Sequence, residues 1–272
     1  MTGSIAYPTD AFDRRPAGDR RDDSARRTPR AREFGEYDDY MRREYARYLA
    51  DAGRHAEAAR EIDGLVAAGC ADGADYELRG QCRLEAGNDV ALTLALVDFE
   101  NAQRLHGADV QRVQIRIAAC LNRLGRHAEA LVRTDDTAAA QAYPEEAQHE
   151  RIEALIGLKR ACDLVGALNA YPPKCPDLRA RAGGVLREAG RNAEALGQFA
   201  IVARARPDDR YVLWAIGDCL VALGRRHEAV EWFERAELAY REDGDGVKAE
   251  ICHRASDEAR GRRGVLAWLF AR

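Results

Sequence analysis

A chain of 272 residues is long enough for one or two ordinary domains, and a stacked array of repeats can use the whole length as one body. Hydrophobic residues at 46% and charged residues at 32% are the proportions of a soluble folded protein. A formal charge of −4, from 42 basic and 46 acidic residues, argues against a protein that coats nucleic acid by neutralising phosphates, although local basic patches remain compatible with it.

Residues 1–32 carry Pro8, Pro16 and Pro29 among Gly, Ser, Asp and Arg and form no apolar face, so a disordered arm is expected there. Between Asp10 and Arg32, eight arginines and five aspartates leave a local excess of three positive charges. One reading is an electrostatic tether for RNA, anionic lipid or an acidic protein. The other is a solvated mixed-charge tail, because the aspartates are scattered and only Phe12 is available to stack on a base.

From Glu33 onward the apolar residues recur near a 3.6-residue period. Tyr45, Ala46 and Leu49 mark one face, Gly53 interrupts, and Ala58, Ile62 and Leu65 mark the next helix. Glycine accepts positive φ without a side-chain clash, so the chain can reverse there into a helical hairpin. A second pair places Leu78, Gly80 and Leu84 before Gly87 and Ala95, Phe99 and Ala102 after it, with about three extra residues in the stretch from Asn88 to Leu96. The third has Ile117, Ala118 and Leu121 before Gly125 and Ala130 and Leu131 after it, with Thr134–Thr137 weakening its second helix. The fourth, with Leu155, Leu158 and Leu164, puts Lys159 at the turn position, and Pro172–Pro173 stops its second helix. The fifth has Ala182, Gly183, Leu186, Gly190, Ala195, Leu196 and Phe199; the sixth has Trp214, Gly217, Leu220, Gly224, Ala229, Phe233 and Ala236.

Turn residues at 53, 87, 125, 159, 190 and 224 are separated by 34, 38, 34, 31 and 34 residues. A repeat near 34 is the strongest signal in the chain. After a break at Asp243–Gly246, a further helix with Val247, Ile251, Cys252 and Ala255 inward is expected to cover the end of the stack. Val265, Leu266, Trp268, Leu269 and Phe270 then form an apolar run that either folds back onto the last repeat or docks into another chain. The expected organisation is an arm at 1–32, a repeat array at 33–244 and a capping helix with apolar tail at 245–272.

Seven cysteines, an odd number with no CxxC spacing, read as structural thiols in a reducing cytoplasm. No apolar core of signal-peptide type and no run of about 18 apolar residues is visible, which disfavours export and membrane insertion.

Gly217, Leu220, Gly224, Ala229, Phe233 and Ala236, with Gly183, Leu186, Gly190, Ala195, Phe199 and Pro207, give the chain over residues 33–244 a pattern that resembles the tetratricopeptide repeat family. The resemblance implies an all-α, right-handed superhelical solenoid of about six stacked helix-turn-helix repeats, closed by the C-terminal helix. The small residues Gly80, Ala118, Gly183 and Gly217 in first helices would let Ala58, Ala95, Ala130, Ala195 and Ala229 of second helices approach closely.

It further implies that first helices line a concave groove holding an extended peptide or a helix of a protein partner. The groove-facing positions would be Tyr40, Arg43, Arg47, Glu77, Gln81, Arg112, Ile115, Arg116, Asn122, His149, Glu153, Tyr211, Trp214 and Asp218. The arginines read either as a basic entrance for an acidic partner or as a solvated helix face. Tyr211 and Trp214 read either as an aromatic anchor or as packing between repeats. Family members that grip a chaperone's C-terminal carboxylate use Lys and Asn on successive first helices; the corresponding places hold Arg43, Arg47, Leu78, Arg112 and Arg116, so that clamp is not expected.

His55 and His127, two residues past a hairpin glycine, read as packing side chains. No HExxH, zinc-ligand spacing, Walker-type loop or GxSxG elbow occurs, so no metal and no cofactor is expected. The acidic pairs Asp135–Asp136, Glu145–Glu146 and Asp208–Asp209 fall at turns or helix ends, where they serve as caps. The expectation is a cytoplasmic, non-catalytic protein-binding scaffold or adaptor. The alternatives are a nucleic-acid-associated factor using the arginine-rich arm, and a chaperone or regulatory subunit of an enzyme or secretion system.

Overall fold

The computed structural model describes residues 29–135, 137–170, 172 and 174–261, and all regular structure among them is helical. The arm through residue 28 and the apolar run Val265–Phe270 lie outside the described residues. Six hairpins follow one another: α1 (Pro29–Asp51) with α2 (His55–Ala68), α3 (Gly73–Ala86) with α4 (Asp89–Arg104), α5 (Val110–Arg123) with α6 (His127–Thr134), then, after a short α7 (Thr137–Ala142), α8 (Pro144–Gly157) with α9 (Ala161–Ala170), α10 (Pro176–Glu188) with α11 (Asn192–Ala205), and α12 (Arg210–Ala222) with α13 (Arg226–Glu242). A single helix α14 (Gly246–Ala259) packs on α13. Each helix packs mainly on its neighbours in sequence, the pattern of a solenoid.

Every expected turn residue takes the left-handed conformation. Gly53, Gly87, Gly125, Gly190 and Gly224 have φ between 71° and 76°, and Lys159 joins them at φ 54°. The irregular fourth repeat thus keeps the hairpin geometry without a glycine, at a cost of roughly 1–2 kcal/mol for a residue with a Cβ. In five hairpins the second helix opens with an arginine paired to a carboxylate three residues on: Arg54–Glu57, Arg126–Glu129, Arg160–Asp163, Arg191–Glu194 and Arg225–Glu228. The other hairpin uses a side-chain cap, Asn88 Oδ1 accepting from Ala91 N at 2.9 Å. The extra residues before Leu96 therefore lengthen α4 to 16 residues and leave the turn short.

The expected contacts of the small residues are refined by the structure. A Cβ on Gly80, Gly183 or Gly217 would lie 2.8, 2.9 or 2.6 Å from the ring of Phe99, Phe199 or Phe233 respectively, so each glycine makes room for a phenylalanine of its own second helix. Where that phenylalanine is absent the glycine is too: Ala46 is buried with Ile62 and Ala118 with Thr134. The pair of positions conserves volume more than identity. His127 packs against the next repeat, its ring occupying the space a Cβ on Gly157 of α8 would need.

Three expectations require correction, and a fourth is extended. α1 begins at Pro29, inside the last residues read as an arm. Tyr45 points outward, Ala46 and Leu49 alone burying that face of α1. On α14 the inward residues are Ala249, Cys252, Ser256 and Ala259, while Val247 and Ile251 are exposed; close approach to α13 selects small side chains over large aliphatic ones. The stretch after α6 does end that helix early, at Thr134, but it then reverses into a further short helix, α7, whose alanines cover Ile115.

All seven cysteines are free. Burial pushes the thiols of Cys82, Cys219 and Cys252 up to about 11 and that of Cys120 up to about 12, which keeps them protonated and inert.

Candidate functional site

Most of the polar residues expected along the groove link one first helix to the next. Arg43 Nε on α1 donates to Asp75 Oδ2 on α3 at 2.8 Å. Arg112 Nε on α5 donates to Glu77 Oε1 on α3 at 2.7 Å. Asn122 Nδ2 on α5 donates to the carbonyl and the carboxylate of Glu150 on α8 at 2.8 and 2.9 Å. Arg181 of α10 reaches Glu153 of α8 at 2.5 Å, and Arg187 of α10 reaches Asp218 of α12 at 2.6 Å. The Arg187 guanidinium also sits 4.8 Å over the Trp214 ring. At least one polar bridge therefore spans each successive pair of first helices from α1 to α12.

The remaining expected residues divide further. Arg47 pairs with Glu44 and Gln81 with Glu85 along their own helices. Tyr40 is exposed on α1. Tyr211 meets Phe199 edge-on at 6.1 Å and Trp214 at 6.2 Å, which ties α12 to α11.

The structure brings Arg112, Ile115, Arg116 and His149 together. They line a cleft of about 360 Å³ between α5, the start of α8 and the segment leading into α10. Its apolar part is Ile115, Ala119, Ile152 and the ring of Tyr143; its polar part adds Glu145, Glu146, Glu150 and Lys174. The break of the second helix into α6 and α7 shapes this place. It swings Tyr143 beneath α5, where the hydroxyl donates to Asp109, the residue that caps α5 by accepting from Arg112 N. That bond, with the α5 amides, holds the Asp109 carboxyl below its usual range.

Within the cleft the charges are unequally engaged. Arg112 is held by Glu77, and Lys174 Nζ lies 2.9 Å from Glu145. Burial pushes the Glu150 carboxyl up, against the opposing hydrogen bond from Asn122. Arg116 makes no hydrogen bond or ion pair among the described residues. Sequence reasoning missed Tyr143, Glu150 and Lys174, and read Glu145 and Glu146 only as a helix end. The one signal that pointed here was the irregular repeat itself, in which the polar run Thr134–Thr137 cuts the second helix short.

No family model matches the chain, and no curated protein matches it. Among solved structures, the C-terminal part of a TPR repeat-containing protein from Cytophaga hutchinsonii superposes with a TM-score of 0.59 at 14% identity, covering 80% of this chain and 95% of that one. A tetratricopeptide repeat protein from Parabacteroides merdae gives 0.52 at 16% identity, covering 82% and 98%. MamA gives 0.53 at 16% identity, covering 63% and 93%. At such identities the likeness speaks for architecture, and the fold of this chain is that of the tetratricopeptide repeat proteins.

Proposed function

We propose that the chain is a non-catalytic scaffold or adaptor that holds a segment of a partner protein in its concave groove, seated in the cleft between α5 and α8. The observation that carries this reading is Arg116, an unengaged guanidinium beside apolar wall residues in a cleft whose other cations already have partners. A carboxylate on the incoming segment would pair with Arg116, and an adjacent aliphatic side chain would cover Ile115, Ala119 and Ile152. Lys174 and Arg112 would add field without giving up their own partners.

The test is fluorescence anisotropy with peptides that place Asp or Glu beside Leu, comparing the chain with Arg116→Glu. A charge-assisted hydrogen bond contributes about 1.5–3 kcal/mol, so binding should weaken by roughly 10-fold to 100-fold. Undiminished binding with unchanged helical circular dichroism rejects the seat. The buried thiols fit work in a reducing compartment such as the cytoplasm, and no described helix is long and apolar enough to cross a membrane.

A further inference from the structure

The two ends of the array are finished differently. In every first helix after α1, the residue twelve positions before the turn residue is buried: Asp75, Val113, Ala147, Leu178 and Val212, and likewise Ala249 of α14, counted from Gly261. Five positions before the turn, Cys82, Cys120, Ala154, Cys219 and Ser256 are buried and Val185 is half-buried. In α1 these two places hold Met41 and Tyr48, exposed by 42% and 65%, with Tyr45 stacked on Tyr48 at 6.5 Å. α1 thus presents the side chains of an internal first helix with no second helix ahead of it among the described residues. Its 23 residues run on unbroken through the positions where the other repeats have a loop.

The other end is the reverse. The face α14 would turn to a second helix of its own carries Glu250, His253, Arg254 and Asp257, where α12 has Leu213, Ile216, Gly217 and Leu220. Beyond it, Gly261 is left-handed like the hairpin turns. Leu266 and Phe270 follow Gly261 by five and nine residues, the offsets at which Ala195 and Phe199 follow Gly190 and Ala229 and Phe233 follow Gly224. The sequence of a second helix is thus present next to a first helix too polar to receive it.

We infer that the segment 262–272 of one copy docks on the exposed α1 face of a second copy, taking the place that a preceding second helix holds beside the other first helices. Charge favours this pairing, because Arg262, Arg263 and Arg272 accompany the apolar tail while Asp38 and Asp51 flank Met41 and Tyr48, Glu44 between them being paired with Arg47. The contact is heterologous, the tail of one chain on the head of the next, and it propagates unless the ring closes.

Sedimentation velocity on the full chain at rising concentration tests this, with two variants: Met41→Glu/Tyr48→Glu, and Leu266→Asp/Phe270→Asp. The wild type should associate beyond a dimer, and each variant alone should be monomeric with unchanged helical circular dichroism. A mixture of the two variants should form a heterodimer that grows no further, because one intact head meets one intact tail. A wild type that stays monomeric overturns the inference. So does association of the tail variant alone, which would mean α1 against α1, or of the head variant alone, which would mean tail against tail.

Discussion

The second and the sixth hairpins share one geometry and fill it with opposite chemistries. Both seat a phenylalanine over a glycine, Phe99 on Gly80 and Phe233 on Gly217. Around that contact the sixth has Ile216, Leu220 and Trp232, whereas the equivalent places of the second hold Arg79, Arg83 and Asp98. Asp98 is fully buried and accepts from Arg79 at 2.6 and 3.1 Å and from Arg83 at 2.7 Å, and Arg79 reaches out to Asp63 at 2.6 Å. The repeat therefore specifies where side chains meet, and the chemistry at the meeting point is free so long as it is satisfied.

The two hairpins should break in different ways. The largest effect is expected from Asp98→Ala, which leaves the buried Arg79 without its main acceptor; destabilisation of about 3–5 kcal/mol should appear in urea unfolding. Replacing Trp232 by Ala should act through lost packing, with a cost that does not depend on ionic strength. Next comes Gly217→Ala, whose Cβ would stand 2.6 Å from Phe233 and should cost about 1–3 kcal/mol. Adding Phe233→Ile should recover much of that loss, since Ala46 with Ile62 already solves the same contact in the first hairpin. If the double variant is merely the sum of its parts, the volume-sharing account of these two positions is wrong.

Smaller effects come from the irregular middle. Lys159→Gly relieves the left-handed backbone and should raise stability by about 1 kcal/mol in the same unfolding assay. Glu150 supplies a pH signature. Its carboxyl is raised in the folded chain, so its contribution favours the fold below the ordinary glutamate pKa and is lost as pH rises through the raised value. In Glu150→Gln the thermal midpoint should therefore fall less than in the wild type across that mildly acidic window. An unchanged difference curve would place the carboxyl in an ordinary solvated setting.

How far the sequence reaches is clear from particular residues. Gly53 through Gly224 announce the hairpins because positive φ is a local demand, and even Lys159 was legible from spacing alone. α7 was not, since a six-residue TAAAQA helix has too few turns to carry a periodicity. The register of α14 was misjudged because large aliphatic residues normally mark the inward face, and here Ala249 and Cys252 do so. The partnerships of the residues expected along the groove were not legible. Arg43 and Asp75, or Arg112 and Glu77, lie more than thirty residues apart, so that only the superhelical stacking brings them together. The cleft stayed hidden for the same reason: Lys174 and Tyr143 reach it from irregular segments.

The central claim is that a partner segment seats between α5 and α8. Backbone amide and side-chain NMR shifts, recorded while an Asp–Leu peptide is titrated into the chain, test it most directly. The account predicts that Arg116, Ala119, His149 and Ile152 move first and saturate together, with Arg116→Glu abolishing the response. Shifts confined to other helices, or to the convex second-helix face, would contradict it.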